Sequence, residues 1–95
     1  MAYILIVCTA RYYDDEEKFF KKIEDELKKH FSYTYSMIDK GDHKKLILIS
    51  YSITHNSKKA LEVLSELKDT LKQIAKSFRN DITISLLGEA LWISN

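Results

Sequence analysis

The hydrophobic residues of the chain repeat with two different periods, and the order of those periods predicts the order of the secondary-structure elements. A period of two marks half-buried strands, whereas a period near 3.6 marks amphipathic helices. Along the chain the periods follow one another as strand, helix, strand, strand, helix, strand, with very few residues between them. This pattern predicts an α+β fold with short connections.

The first part of the chain predicts a strand followed by a helix. Tyr3–Ala10 is rich in the β-branched and aliphatic residues that suit a buried strand. Asp14, with Glu17 three residues later, predicts a capping box at the start of a helix that runs to about residue 31. One face of that helix is apolar and consists of Phe19, Phe20, Ile23, Leu27 and Phe31.

Two further strands are predicted to form a hairpin in the middle of the chain. Tyr33–Ile38 and Leu46–Ile53 both contain the alternation and the residue types of strands. Between them lies Asp39–Asp42, in which Gly41 can adopt the positive φ that a tight hairpin requires. The two strands are therefore expected to pair side by side.

A second helix and a strand follow the hairpin. Asn56 or Ser57 is expected to cap this helix, whose apolar stripe reaches Arg79. Asn80 suits the left-handed conformation that often ends a helix, and a strand is predicted over Ile82–Leu87. The apolar stripe makes this helix the longest predicted element.

The last residues allow two interpretations. Gly88 and Glu89 either turn the chain so that Ala90–Ser94 forms a fifth strand, or Gly88 is a bulge in one long strand. We favour the turn. In both cases the element order is that of the ferredoxin-like fold, a two-layer sandwich with an antiparallel sheet and both helices on one face. A chain of 95 residues has room for one such domain, covering residues 1–95.

This architecture leaves one face of the sheet without helices. Small polar residues recur at every second strand position and predict which face that is: Ser32, Thr34, Ser36, Ser50, Ser52, Thr83 and Ser85. The alternate residues should then pack on the helices: Ile4, Ile6, Cys8, Tyr33, Tyr35, Met37, Ile47, Ile49, Tyr51, Ile53, Ile82, Ile84 and Leu86.

The same alternation places an apolar cluster on the helix-free face. Its predicted members are Tyr3, Leu5, Val7, Leu46 and Leu48, together with Leu87 and Trp92. Apolar clusters of this extent are typical of interaction surfaces. The sequence therefore predicts self-association, or binding to a partner protein, through this face.

Composition narrows the range of partners and locations. The net charge of +1 provides no global basic field that would attract nucleic acid or a membrane surface. The single cysteine, Cys8, cannot form an intramolecular disulfide, which favours a reducing, cytoplasmic location. The apolar run around it is too short to span a bilayer, so no membrane association is expected.

Candidate chemistry is sparse. The acidic run Asp14–Glu17 is accounted for by the helix start, which disfavours a metal site there. Cys8 lies in the middle of an apolar strand, where a thiol is more often inert core than a nucleophile. The histidines share no metal-ligand spacing; they are His30, His43 and His55. We therefore expect no enzyme activity, no catalytic or metal-binding residues, no cofactor and no small-molecule ligand.

Nucleic-acid binding is a third and weaker hypothesis. A ferredoxin-like sheet is shared with RNA-recognition domains, but Leu46–Tyr51 lacks the basic, glycine and aromatic residues that such domains carry on their third strand. Two sets of cations remain, namely His43, Lys44 and Lys45, and Lys68, Lys72, Lys76 and Arg79. The second set is more simply a solvated helix face whose cations complement the helix dipole.

The regularity of the chain resembles that of computationally designed α/β proteins. It has no proline, and the tail Asn80–Ser85 followed by a glycine turn and a short apolar strand is similar to the C-terminal hairpin of such designs. The resemblance implies a self-contained scaffold without biological activity. Cys8, Met37 and the apolar open face are unusual for a design. The alternative is a natural module that binds a protein or forms a homodimer.

Overall fold

The computed structural model describes residues 2–29, 33–53 and 57–86. The element order is the predicted one: β1 (Ala2–Arg11), α1 (Glu16–Lys28), β2 (Tyr33–Gly41), β3 (Lys44–Ile53), α2 (Ser57–Ser77) and β4 (Asp81–Leu86). Asn56, the predicted residues Phe31 and Ser32, and the predicted fifth strand Ala90–Ser94 lie outside the described residues. No helix in the described ranges is long and apolar enough to cross a membrane.

The strands form one antiparallel sheet in the order β2-β3-β1-β4. The two central strands, β1 and β3, pair along their whole lengths, from Ala2 opposite Ile53 to Arg11 opposite Lys44. Each helix connects two strands that run in the same direction and are not adjacent, α1 between β1 and β2 and α2 between β3 and β4. With this strand order the chain has the ferredoxin-like fold that the sequence predicted.

The core lies between the sheet and the two helices. Ile6, Cys8, Ile47 and Ile49 are buried on the central strands and meet Phe19, Ile23 and Leu27 of α1 and Leu64, Leu67 and Leu71 of α2. Packed against them are Ile4, Tyr35, Met37, Tyr51, Ile82 and Ile84. The predicted helix-facing set is confirmed for these positions and for Tyr33. The side chains of Ile53 and Leu86 lie outside the described part of the chain.

The predicted capping box at the start of α1 is wrong. The residue before the helix is Asp15, which adopts a left-handed conformation (φ 51°, ψ 41°) and makes no side-chain capping bond. Two hydrogen bonds explain the shift, because they hold the preceding chain in place: Tyr12 N–H donates to His43 O at 2.9 Å and Tyr13 N–H donates to Asn80 Oδ1 at 3.0 Å. The helix begins after this anchored segment, at Glu16. The helix also ends earlier than predicted, at Lys28.

The hairpin turn lies further along the chain than predicted. Its two tip residues are Asp42 and His43, with φ of 51° and 58°, which is the paired positive φ of a type I′ turn. Gly41 does have the predicted positive φ, 75°, but at a register shift at the end of β2 rather than at the tip. The strands are consequently longer than their apolar cores suggested.

The end of α2 differs from the prediction by one residue. Arg79, not Asn80, adopts the left-handed conformation, with φ of 58°. Arg79 N–H donates to Lys76 O at 3.1 Å and Asn80 N–H donates to Ala75 O at 2.8 Å, which is the hydrogen-bond pattern of a Schellman motif. The side chain of Asn80 instead accepts a hydrogen bond from Tyr13 N–H.

Candidate functional site

The helix-free face of the sheet carries an apolar stripe that crosses its two central strands. Val7 of β1 lies directly opposite Leu48 of β3, and Leu5 lies one position further along its face of β1. Leu46 follows Leu48 on the same face of β3, opposite Thr9. All four of these apolar residues are partly exposed, whereas the alternate residues Ile6, Cys8, Ile47 and Ile49 are buried.

The stripe extends onto β2 through a residue that the sequence analysis did not select. Ile38 lies opposite Leu46 and is 43% exposed. The signal was present, because Ile38 continues the alternation of Thr34 and Ser36 on the open face. The apolar stripe therefore consists of Leu5, Val7, Ile38, Leu46 and Leu48.

Small hydroxyl residues border the apolar stripe. Ser36 lies beside Leu48 on one side, and Ser85 lies beside Val7 on the other. Thr34, Ser50, Thr9 and Thr83 continue this border. In the described part of the face, the charged residues Lys44, Arg11 and Asp81 form a row at one end. Of the other predicted members of the surface, the Tyr3 side chain and the whole of Leu87 and Trp92 lie outside the described residues.

Cys8 lies on the opposite face, inside the core. Its side chain is fully buried, and this burial raises the pKa of the thiol from 9.0 to about 12. A nucleophilic cysteine needs a lowered pKa and an accessible sulfur. Cys8 has neither, which agrees with its interpretation as a small core residue.

Tyr33 is a second buried ionisable group. Burial, aided by the nearby Tyr51 and Glu66, raises the pKa of its phenol to about 12. The rings of Tyr33 and Tyr51 pack with their centroids 5.0 Å apart. Both tyrosines lie on the helix-facing side, so they are core residues and not a stacking platform on the open face.

The acidic run and the histidines form no constellation in the described residues. Asp14, Asp15, Glu16 and Glu17 are all exposed at the start of α1, and Glu16 forms an ion pair with Lys45 at 3.2 Å. His43 is at the hairpin tip, where its ring packs edge-on against Tyr12. Within ranges 2–29, 33–53 and 57–86, no three His, Cys, Asp or Glu side chains are placed to hold a metal ion. His30 and His55 fall outside those ranges.

In the structure, cations from the two sets identified in the sequence lie close together. Lys44, Lys72, Lys76 and Arg79 line one open cleft at the start of β4, and Arg11 joins them. Lys45, grouped with Lys44 in the sequence, points elsewhere and lies 4.3 Å above the ring of Phe20. Predicting this set requires the strand order, because Arg11 meets α2 only through the pairing of β1 with β4.

Comparison with known proteins supports the fold but identifies no family. No protein-family model and no curated protein matches the chain. The chain is similar to the solution structure of a de novo designed protein with ferredoxin fold, with a TM-score of 0.57, 16% identity and coverage of 100% of this chain and 96% of the other.

A natural protein with a similar fold is also known. Hypothetical protein ORF119 from Sulfolobus islandicus rod-shaped virus 1 matches with a TM-score of 0.52 and 16% identity, over 96% of this chain and 72% of that one. Both likenesses concern the fold alone at this identity. They show that designed and natural sequences both adopt this arrangement of strands and helices.

Proposed function

We propose that the chain is a non-catalytic scaffold that forms a homodimer through the helix-free face of its sheet. The observation that carries the proposal is the apolar stripe, in which Val7 and Leu48 lie side by side at the centre of the face. Burying the apolar side chains of an open sheet against a partner removes them from water, and this lowers the free energy of the complex. A cytoplasmic location, suggested by the free thiol of Cys8, is part of this proposal.

A second copy of the chain fits this stripe better than a charged partner does. The stripe runs diagonally across the sheet, from Ile38 and Leu46 through Leu48 and Val7 to Leu5. In a dimer whose two-fold axis lies parallel to the sheet, along or across the stripe, the stripe of one copy would pack on the stripe of the other. The hydroxyl borders of the two copies would then also face each other. The borders offer no charge for a charged partner to recognise.

The non-catalytic part of the proposal rests on the positions of the reactive groups. The thiol of Cys8 is buried and its pKa is raised, so the group that could act as a nucleophile is protonated and inaccessible. Tyr33 is held in the core in the same way. On the described part of the open face, the accessible residues are apolar or carry hydroxyls, apart from the row Lys44, Arg11 and Asp81 at one end.

The test is the mass of the full chain in solution, measured by light scattering over a wide concentration range. The unmodified chain is expected to change from monomer to dimer as its concentration rises. Leu48→Lys should remain monomeric at concentrations where the parent is dimeric, because it places a charge at the centre of the stripe. Circular dichroism would verify that the variant is folded. Ser85→Lys, at the exposed border, is expected to weaken the dimer without changing an apolar residue.

The matched control is Leu61→Lys, which makes the same substitution at a leucine that is 62% exposed on α2. It should leave the dimer intact. If Leu61→Lys dissolved the dimer and Leu48→Lys did not, the helix side would be the interface and the proposal would be wrong. A different outcome is that the parent stays monomeric, its Trp92 fluorescence is blue-shifted, and Leu48→Lys moves this fluorescence to the red. That outcome would identify the C-terminal segment, and not a second copy, as the partner of the stripe.

A second candidate is a designed scaffold without a partner. The short connections and the likeness to a designed ferredoxin fold favour it. It predicts a monomer at high concentration with a very high unfolding midpoint. Four non-glycine residues at positive φ weigh against an idealised design; they are Asp15, Asp42, His43 and Arg79.

A further inference from the structure

A basic cleft lies around the start of β4, at one end of the sheet. It has a volume of about 840 Å³ and is open to solvent. One wall is the end of α2 with Lys72 and Lys76, followed by Arg79 just beyond the helix. The other wall is the charged row at the end of the sheet, with Arg11 and Lys44. The chain as a whole carries a net charge of only +1, so the cleft concentrates positive charge locally.

The cations of this cleft repel one another. Arg11 and Lys44 are direct cross-strand partners, an arrangement that is unfavourable for like charges. Lys72 and Lys76 are four residues apart on one helix, which is unfavourable for the same reason. Among the described residues, none of these four forms an ion pair with a carboxylate within 4.0 Å, whereas the lysines of α1 at 21, 28 and 29 do. Asp81 is the one carboxylate on the cleft wall, and as the other cross-strand partner of Arg11 it offsets part of this repulsion.

A buried amide also reaches the wall of the cleft. Asn80 is 5% exposed and its Oδ1 is occupied by the N–H of Tyr13. Its Nδ2, the hydrogen-bond donor, has no acceptor among the described residues. A buried donor without an acceptor costs free energy. Nδ2 has no contact with solvent, so an anion in the cleft supplies the acceptor once a small movement of the Asn80 side chain exposes this atom.

We propose that this cleft binds phosphate groups. Lysine and arginine side chains from two walls would neutralise the charge of the phosphate, and the amide of Asn80 would donate to one of its oxygens. The volume accommodates a ligand with several phosphates, such as a polyphosphate or part of a single nucleic-acid strand. No residue of the apolar stripe lines the cleft, but Thr9 and Thr83 of its hydroxyl border do, so the cleft adjoins the proposed dimer face.

Because the cleft is open, binding must depend strongly on salt. Exposed cations act through long-range attraction and through release of counterions, and both effects weaken as the ionic strength rises. The two sources of phosphate can therefore be compared at low salt with two probes, inorganic tripolyphosphate and a fluorescein-labelled single-stranded 12-mer oligonucleotide.

The decisive variant is Lys72→Gln/Lys76→Gln, which removes two cleft cations from exposed helix positions and keeps a good helix former at both. We expect at least tenfold weaker binding of the probe, and a dependence of log affinity on log salt that is flatter by about 1.4 for the oligonucleotide. The control is Lys18→Gln/Lys22→Gln, which has the same spacing and charge change on α1 and should alter binding less than threefold.

Chemical shifts localise the site in the same samples. The side-chain amide of Asn80 and the signals of Arg11 and Lys76 should move when either probe is added. Binding of tripolyphosphate alone, of the oligonucleotide alone, or of both supports the phosphate site and identifies its source. Equal weakening by the two double variants, or no binding of either probe at low salt, would overturn the proposal.

Discussion

The side-chain oxygen Oδ1 of Asn80 accepts a hydrogen bond from the backbone N–H of Tyr13 at 3.0 Å. This bond connects the end of α2 with the segment between β1 and α1, residues 67 positions apart in sequence. Asn80 is 5% exposed, and its own N–H is bonded to Ala75 O. The residue therefore fixes both the end of one helix and the approach to the other.

Removing this acceptor is expected to destabilise the fold. In Asn80→Ala the part-buried N–H of Tyr13 loses its partner, which lowers the free energy of unfolding by about 0.5–1.5 kcal/mol. Urea denaturation followed by circular dichroism measures this loss directly.

Asn80→Asp is the matched control, because it retains an oxygen at the same position. Its carboxylate lies near Lys76 and Arg79 on the cleft wall, where a negative charge is tolerated. We expect it to retain most of the stability at neutral pH. An alanine variant as stable as the parent would show that the bond to Tyr13 contributes nothing.

The hydrophobic periods were sufficient to predict the fold and the faces of the sheet. Alternation depends only on neighbouring residues, and Val7 and Leu48 therefore lie on the face that the serines and threonines indicated. The boundaries failed where a distant contact overrides local preference. Asp14 suits a cap by its residue type, but hydrogen bonds to His43 and Asn80 move the turn to Asp15.

The basic cleft could not be predicted for a related reason. Lys72 and Lys76 are visible on one face of α2 in the sequence, but Arg11 is remote from them along the chain. Only the strand order brings Arg11 next to Asp81 and so to the end of that helix. Local patterns predict which face a residue occupies, and the sheet topology decides which faces meet.

The left-handed conformation of Arg79 makes a stabilising substitution available. At a φ of 58°, a residue with a Cβ atom, such as Arg79, has steric strain that glycine does not have. Arg79→Gly should therefore raise the free energy of unfolding by about 0.5–1 kcal/mol, the steric gain less the greater entropy of glycine in the unfolded chain. Thermal and urea denaturation would both detect this increase.

Two controls separate this effect from the loss of charge. Arg79→Gln removes the charge and keeps the side chain in the left-handed region, so it should not stabilise the protein. Gln73→Gly places glycine at an exposed position inside α2 and should cost about 1 kcal/mol. Stabilisation by both substitutions at position 79 would point to relieved repulsion between cations, and not to backbone strain, as the cause.

The buried thiol of Cys8 predicts how the stability depends on alkaline pH. Burial raises the pKa of the thiol from 9.0 to about 12 in the folded chain. Above pH 9 the unfolded chain releases this proton and the folded chain retains it, so stability falls as the pH rises through this range.

The variant Cys8→Ala lacks this pH-dependent loss of stability but leaves a small cavity. The stability advantage of the parent over Cys8→Ala, measured by urea denaturation, should therefore shrink steadily between pH 8 and pH 11. Tyr33, whose pKa is also raised, is present in both proteins and cancels in the difference. A constant difference over this range would mean that the thiol of Cys8 ionises equally in the folded and unfolded chains.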